Sequence, residues 1–552
     1  QLAVGHLGAL HQAQRRFDLA AESFRKAAAE AAGVDEEYRL MWLSNLATSL
    51  ISENQWDEAE RVNRDVLERE ERLEGSLGLD HSRVNEASIA AGRGDLPRAA
   101  QLLEQLLRAP DVDLGAALDA SAMLADVYAR SGDAARAQAQ FERALELADR
   151  SQAEVKEDEN KLSLLESLIH LHRRYVRFLM GRNRVEDALA VAESSRARLL
   201  RERMNLPRRS VTRLAEAQYR AIARETGATV LAYWVEPAGG WVWTVTPSGV
   251  RVSELASEDA LRAQVDRFQA AVENREPEGR GIGGKLFEAL VPERARGAAR
   301  YLIVPDGPLY ALNFETLETN GRYWIQDATL AVTPSLDLLA ARRSAARRDR
   351  SLLAVGDAVE WDPAFEKLVN ARKEIETVAG RFAPKASRLL LEAGATPDAY
   401  LGSRPRDYAY VHFAAHAMAS RDAPMESAII LSRANGRGRL SMRDVLKTPV
   451  NANLVTVSAC RSAGARTYSG EGLVGLAWAF LQAGAREVVA GLWKVNDYAS
   501  PKLMERLYAG LAAGESPAAA LREAKLKLIA EGKFADPYYW GPLELFAGAL
   551  PY

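Results

Sequence analysis

The chain has 552 residues, 48% of them apolar and 27% charged, with a net charge of −3 and a single cysteine. At roughly 100–200 residues per domain, that length calls for about three to four domains. So small a charge gives no electrostatic ground for binding nucleic acid or a membrane surface, and no run reaches the roughly 18 consecutive apolar residues of a membrane span. One cysteine excludes an intramolecular disulfide and a Cys-based zinc site, so a soluble protein in a reducing, cytoplasmic setting is expected. The chain begins at Gln1 without an initiator Met, which reads as a fragment or processed form.

From Gln1 to Met204 the pattern is helical, with Ala, Leu, Arg and Glu at 3.6-residue spacing. It also repeats. Leu7-Gly8, His11, Ala20, Phe24 and Ala27 return as Leu46-Ala47, Leu50, Ala59, Asn63 and Val66, and again as Leu124-Ala125, Tyr128, Ala137, Phe141 and Ala144 with a Gly132-Asp133 turn. Weaker copies run through Ala87, Ala99, Leu103 and Leu106 and through Leu179, Gly181, Ala188 and Ala192. This series resembles tetratricopeptide (TPR) repeats, in which small residues let paired helices approach. The resemblance implies an α-solenoid over residues 1–204 whose groove recruits a protein; a generic helical bundle is the alternative.

Composition then shifts. Thr229–Val235, Trp241–Val245 and Val250–Leu255 are β-branched and aromatic and read as a β-meander, followed by a helix over Glu258–Asn274, a Gly-rich loop and a strand at Tyr301–Val304. Gly279-Arg-Gly-Ile-Gly-Gly-Lys285 fits the start of a phosphate-binding loop, but Leu286 stands where a magnesium-binding hydroxyl is needed and no buried strand precedes it. No nucleotide cofactor is expected. The basic run Ala341–Arg350 reads as a solvated linker, or else as an exposed site for basic-specific proteolysis.

From Ser351 short apolar strands alternate with helices: Leu352–Val355, a helix over Ala364–Ala379, Arg388–Leu391, Tyr408–Ala415, Leu454–Ser458, a helix over Gly472–Ala483, Glu487–Ala490 and a helix over Ser500–Ala513. A hairpin is expected around Asn435-Gly436. The alternation predicts a mostly parallel sheet covered by helices, with ligands at the carboxyl ends of its strands. His416 ends one strand and Cys460 the next, so both side chains reach one edge, where an imidazole can take a thiol proton. Of seven His, only His412 and His416 lie near the cysteine; His412 falls inside the strand and reads as support. A buried, inert cysteine is the plain alternative. A zinc site at His412/His416 lacks the helix and the Glu it needs, so no metal is expected.

Ala409-Tyr-Val-His-Phe-Ala-Ala-His416, Val457-Ser-Ala-Cys-Arg-Ser-Ala-Gly464, the stretch Gly470–Arg486, Val488-Val-Ala-Gly-Leu-Trp-Lys-Val-Asn-Asp497, Pro305-Asp-Gly-Pro308 and Trp540-Gly-Pro-Leu543 together resemble CHAT domains, the caspase-like proteases found beside TPR repeats. The resemblance implies a degenerate caspase-like half over 205–345 and a catalytic half over 346–552. It also implies a cysteine endopeptidase with His416 as base and Cys460 as nucleophile. By the same analogy the substrate is a protein, with gasdermin-like pore formers and operon partners as candidates in bacterial defence, and the TPR arm binds substrate or a regulator. The family usually has Gly where Ala417 follows the His, which bears on the oxyanion turn and leaves an inactive scaffold as the alternative. Asp357, Trp493 and Asp497 sit on loops that bind the substrate side chain in related folds; an acidic wall there favours Arg or Lys.

Overall fold

The computed structural model describes the chain except residues 15, 71–78, 156–157, 205–214, 343–345, 421–422, 461, 465, 469–471 and 550–552. It forms two compact units, 1–157 and 158–552. The expected divisions at 204/205 and 345/346 touch residues outside the described ones. The helices carrying Leu179 and Ala188, expected as a last repeat, are part of the second unit.

The first unit is a run of helix pairs: α1 (Leu2–Ala13) with α2 (Phe17–Ala31), α3 (Glu36–Ser52) with α4 (Trp56–Glu70), α5 (Leu79–Gly92) with α6 (Leu96–Arg108), and α7 (Leu114–Arg130) with α8 (Ala134–Glu154). The repeated positions Ala20, Ala59, Ala99 and Ala137 are fully buried, as are Phe24 and Phe141. Two of the pairs, α5 with α6 and α7 with α8, turn by one chemical device. Gly94 and Gly132 take positive φ to end one helix, and the Asp after each caps the next, Asp95 accepting from Arg98 N at 3.1 Å and Asp133 from Arg136 N at 3.0 Å.

The second unit opens with α9 (Asp158–Met180), α10 (Val185–Ser194), α11 (Arg198–Arg203) and α12 (Ala215–Thr226). Buried charges join these helices to the segment around Leu336. Glu193 pairs with Arg196 at 2.9 Å and accepts from Leu336 N at 2.7 Å, and Asp337 accepts from Tyr219 at 3.0 Å and Arg201 at 3.2 Å.

The meander is β1 (Thr229–Glu236), β2 (Gly239–Thr246) and β3 (Gly249–Leu255), followed by α13 (Glu258–Glu273). The expected Gly-rich loop is instead a helix, α14 (Gly279–Leu290), because Gly279, Gly283, Leu286, Phe287 and Leu290 recur at helical spacing on its buried face. After it come β4 (Arg300–Val304), the short pair β5 (Glu318–Thr319) and β6 (Arg322–Tyr323), α15 (Trp324–Asp327), β7 (Thr329–Val332) and α16 (Leu336–Ala341).

The remainder is β8 (Leu352–Ala358), α17 (Ala371–Ala379), β9 (Ser387–Glu392), α18 (Pro397–Gly402), β10 (Tyr410–Ala414), β11 (His416–Met418), β12 (Ala428–Ala434), β13 (Arg437–Ser441), α19 (Met442–Lys447), β14 (Leu454–Ser458), β15 (Arg466–Tyr468), β16 (Gly472–Val474), α20 (Leu476–Ala483), β17 (Glu487–Gly491), α21 (Ser500–Ala512), α22 (Pro517–Ala530), α23 (Pro537–Trp540) and β18 (Leu543–Ala547). Two expected helices are shorter than their patterns. Residues 359–370 cross as an irregular strap before α17, and Gly472–Val474 forms a hairpin with β15 before α20 begins.

One eleven-stranded sheet unites both halves, in the order β3-β2-β1-β4-β7-β18-β17-β14-β10-β8-β9. Side chains alternate across it as the pleat requires. Leu353, Val355, Val411, Phe413, Val455 and Val457 enter one core, while Leu352, Ala354 and Leu454 enter the other beneath α17, α21 and α22. At the carboxyl end of β8 the strands come so close that a Cβ on Gly356 would be driven into the Ala414 carbonyl and to 2.8 Å from Ile375. Gly356→Ala is therefore expected to cost about 1–3 kcal/mol, read as a lower midpoint of denaturant unfolding, and to slow alkylation of Cys460 because Ala414 leads directly to His416.

Candidate active site

β10 and β14 are parallel neighbours in strict register from Tyr410↔Leu454 to Ala414↔Ser458. His416 lies two residues past Ala414 and Cys460 two residues past Ser458, so equal offsets bring both to the same carboxyl edge. They line one small cleft with Leu368, Glu374, Asp497 and Ser500. Cys460 is in no disulfide and is half-buried.

The imidazole is oriented by the strap. His416 Nε2 lies 2.5 Å from the Glu366 carbonyl oxygen, and the Phe365 ring sits 5.4 Å from the imidazole. A carbonyl can only accept, so Nε2 carries the hydrogen and Nδ1 keeps the lone pair of the neutral ring. Nδ1 is then the ring atom able to accept a proton. The helix expected over 364–379 would have satisfied the Glu366 carbonyl internally; its absence there makes the contact possible.

The turn after Cys460 is fixed from β17. Ser462 is buried, its Oγ accepts from Gly491 N at 2.7 Å, and its own hydrogen is shared between Ala459 O at 3.0 Å and Val457 O at 3.1 Å. Ala463 N donates to Gly491 O at 2.9 Å. From the other half of the sheet, the Tyr310 ring packs on Gly472, where a Cβ would lie 2.9 Å from it.

The remaining sequence candidates divide. Ala417 pairs with Ile429 in β11, so its backbone is extended and needs none of the positive φ that favours Gly. Asp357 lines the adjoining hollow with His416, but its carboxylate is held by Arg372 Nε at 2.7 Å. Trp493 is only 2% exposed and does not line the cleft; it packs beside Gly541. Asp497 does line it, accepting from Asn370 N at 3.2 Å and Nδ2 at 3.1 Å. Burial pushes its carboxyl above the usual range against the pull of those two bonds.

Three lining residues, Glu374, Ser458 and Ser500, are absent from the sequence-derived set. Glu374 had a signal: Ala371, Glu374, Ile375 and Val378 share the buried face of α17, which puts a carboxylate at a core position. No group of three or more His, Cys, Asp or Glu arranged for a metal occurs among the described residues.

A repeat arm of paired helices followed by a caspase-like α/β sheet with a thiol and an imidazole at one strand edge defines the class. Residues 279–549 match the family model described as "CHAT domain", so the chain carries a CHAT domain with TPR-like repeats ahead of it. It is 35% identical over 107 residues to tetratricopeptide repeat protein 28 of Mus musculus, spanning 19% of this chain and 4% of that relative. The separase–securin complex of Saccharomyces cerevisiae aligns over 99% of this chain and 47% of that one, at 10% identity and a TM-score of 0.51, a likeness of fold. The Arg-specific cysteine proteinase gingipain R aligns over 52% of this chain and 74% of its own at 10% identity, with a TM-score of only 0.32.

Because Cys460 is the only thiol, alkylation reports on it alone. Replacing His416 by Ala is expected to raise the pH midpoint of iodoacetamide labelling toward the ordinary thiol value of about 8.5 and to slow labelling at pH 7 about tenfold. An unchanged profile would separate the imidazole from the thiol.

Proposed function

We propose that the chain is a cysteine endopeptidase in which His416 and Cys460 form the dyad. The observation that carries this reading is the equal two-residue offset of both residues from the paired ends of β10 and β14, together with the carbonyl that leaves Nδ1 as the base. Nδ1 takes the thiol proton, and the thiolate adds to the carbonyl carbon of the scissile peptide. The N–H groups of the turn after Cys460 and of Ala417 are the candidates to hold the oxyanion. The imidazolium then gives its proton to the departing amine, leaving an acyl-enzyme. Water, deprotonated by the same Nδ1, adds to the thioester and releases the acid and the thiol.

The substrate is a protein, and the TPR-like arm is the element that recruits it or a regulator. Asp497 in the cleft favours a basic side chain next to the scissile bond, and Asp357, already held by Arg372, contributes less. Gasdermin-like proteins and operon partners of this chain in a bacterial defence setting, acting in the cytoplasm, are the first substrates to try.

The test is a search of the host proteome for new N-termini, comparing the wild type with Cys460→Ala and His416→Ala. New termini following Arg or Lys are expected with the wild type, at least about a thousandfold reduced in both variants. Identical termini in all three proteins would exclude the dyad. An absence of any, with partners still captured on the arm, would point to a scaffold.

A further inference from the structure

Residues 359–370 form neither helix nor strand, yet one of their carbonyls, Glu366 O, sets the tautomer of His416. An acceptor on an irregular, exposed segment keeps its place only if other contacts offset the entropy of ordering that segment, because a single hydrogen bond does not. One end of the strap is fastened by Asn370, whose N and Nδ2 donate to Asp497 at 3.2 and 3.1 Å. The other end lies on the small sheet that carries His416 itself.

That sheet runs β11-β12-β13. His416 stands opposite Ile430 and Ile430 opposite Arg439, so they form one row across its strands. The strap crosses this row. Asp362 Oδ2 lies 3.5 Å from Arg439 Nη2 at one end and Glu366 O meets His416 at the other, with Ile430 and Phe365 lining the hollow between. Asp362 also makes the turn that leads to Glu366. Its main-chain O accepts from Phe365 N at 3.0 Å and its Oδ1 from Ala364 N at 3.1 Å, so the aim of the Glu366 carbonyl follows from where Asp362 stands.

The preceding residue, Trp361, fixes that place. The β12–β13 register shifts between Ile430 and Ala434, and the indole sits on this irregular stretch, a device that re-aims groups beside active sites. Its Nε1 donates to Leu431 O at 2.6 Å, and the Arg433 guanidinium lies 5.6 Å from the ring centre. Gly438 of β13 is bare to receive it: a Cβ there would come within 2.4–2.6 Å of three ring atoms. The Asp362–Arg439 pair is screened by solvent, Arg439 being half exposed, and adds little. The indole is therefore the anchor.

We infer that Trp361 is a positioning residue for His416: seated on the β12–β13 irregularity, it holds the strap so that the Glu366 carbonyl keeps the hydrogen on Nε2 and the lone pair on Nδ1. Its bearing on catalysis rests on His416 being the base of the proposed peptidase; its bearing on the tautomer does not.

The experiment reads the tautomer from the ring-nitrogen resonances of the full chain carrying nitrogen-15 histidine, at about pH 8.5, above the ordinary imidazole range. The His416 resonances are those missing from His416→Ala, and in the wild type Nε2 is expected to be the protonated nitrogen. Trp361→Ala is expected to lower the ratio of the Nε2–H to the Nδ1–H tautomer about fivefold, the weight of one hydrogen bond. Gly438→Ala, two strands away from His416, is expected to lower it comparably by displacing the ring, and to add nothing in a Trp361→Ala background. A ratio unchanged in Trp361→Ala, or an equal effect of Gly438→Ala with and without the ring, overturns the inference. A purely structural tryptophan would lower the unfolding midpoint in these variants while leaving the ratio as it was. Should Trp361→Ala fail to fold by circular dichroism, Trp361→Phe, which keeps the aromatic packing and loses the Nε1 hydrogen, decides: an unchanged ratio overturns it. Cleavage that persists in His416→Ala would instead strike at the dyad and leave the tautomer ratio untouched, so the two failures are distinguishable.

Discussion

The parallel register of β10 on β14 is the constraint on which the site depends. Side chains alternate with a period of two, so a slip of one residue would turn the thiol strand over relative to the imidazole strand. The register is held from beneath by the cross-strand pair His412↔Thr456, whose side chains meet at 2.6 Å inside the core, and from the side by the bare Gly356 against Ala414. His412 thus has a structural reason to be a histidine: its ring spans from Thr456 on one strand to Glu374 on α17. Burying a polar chain of this kind adds little stability, but it admits only one alignment.

The first half of the sheet earns its place through the seam. β7 meets β18 with a single registered pair, Val332↔Phe546, too little to join two halves by backbone bonding. Side chains close the gap. Lys525, fully buried, donates to Glu315 of the first half and, at 2.5 Å, to the Leu543 carbonyl of the second. Burial, reinforced by the Glu315 charge, pushes the neighbouring Glu544 carboxyl well above its ordinary range. Asn313 Nδ2 of the first half donates to Gly541 O of the second at 2.6 Å. The motif Trp540-Gly-Pro-Leu543 is therefore part of a joint, while Pro305-Asp-Gly-Pro308 is tied within the first half, Asp306 accepting from Val235 N at 2.7 Å. Through Tyr310 on Gly472 that joint also bears on the loop after Cys460.

The strand ends, the helix pairs and the edge shared by His416 and Cys460 were legible because each is set by local periodicity: period two in short apolar runs, 3.6 in the arm. What escaped lay where periodicity misleads. The pattern over 364–379 is helical, yet only Ala371–Ala379 coils, because Trp361 is fixed to Leu431 O at 2.6 Å and Asn370 to Asp497 at either end of the strap. Gly279–Leu290 has the composition of a loop, but Gly279 and Gly283 stand four apart on the buried face, where they serve close packing rather than turning. β18 pairs antiparallel with β17 at the end of the chain, a long-range contact no local pattern announces. Asp357 and Trp493 were read from loop position alone, and only side-chain geometry reveals that an Arg holds the first and that the core takes the second.

A reactive thiol ordinarily sits in a positive field, beside Lys, Arg or a helix N-terminus, because the field favours the thiolate. Here the positive element is present but already taken. The N-terminal turn of α21 opens at Ser500 on the cleft, and what it meets is the Glu374 carboxylate, bonded to the Ser500 hydroxyl. The dipole is satisfied by that carboxylate before it can act on sulfur, and the only basic group left among the described lining residues is His416 itself. Activation of the proposed nucleophile then falls to the base, which the Glu366 carbonyl sets in the tautomer that leaves Nδ1 its lone pair.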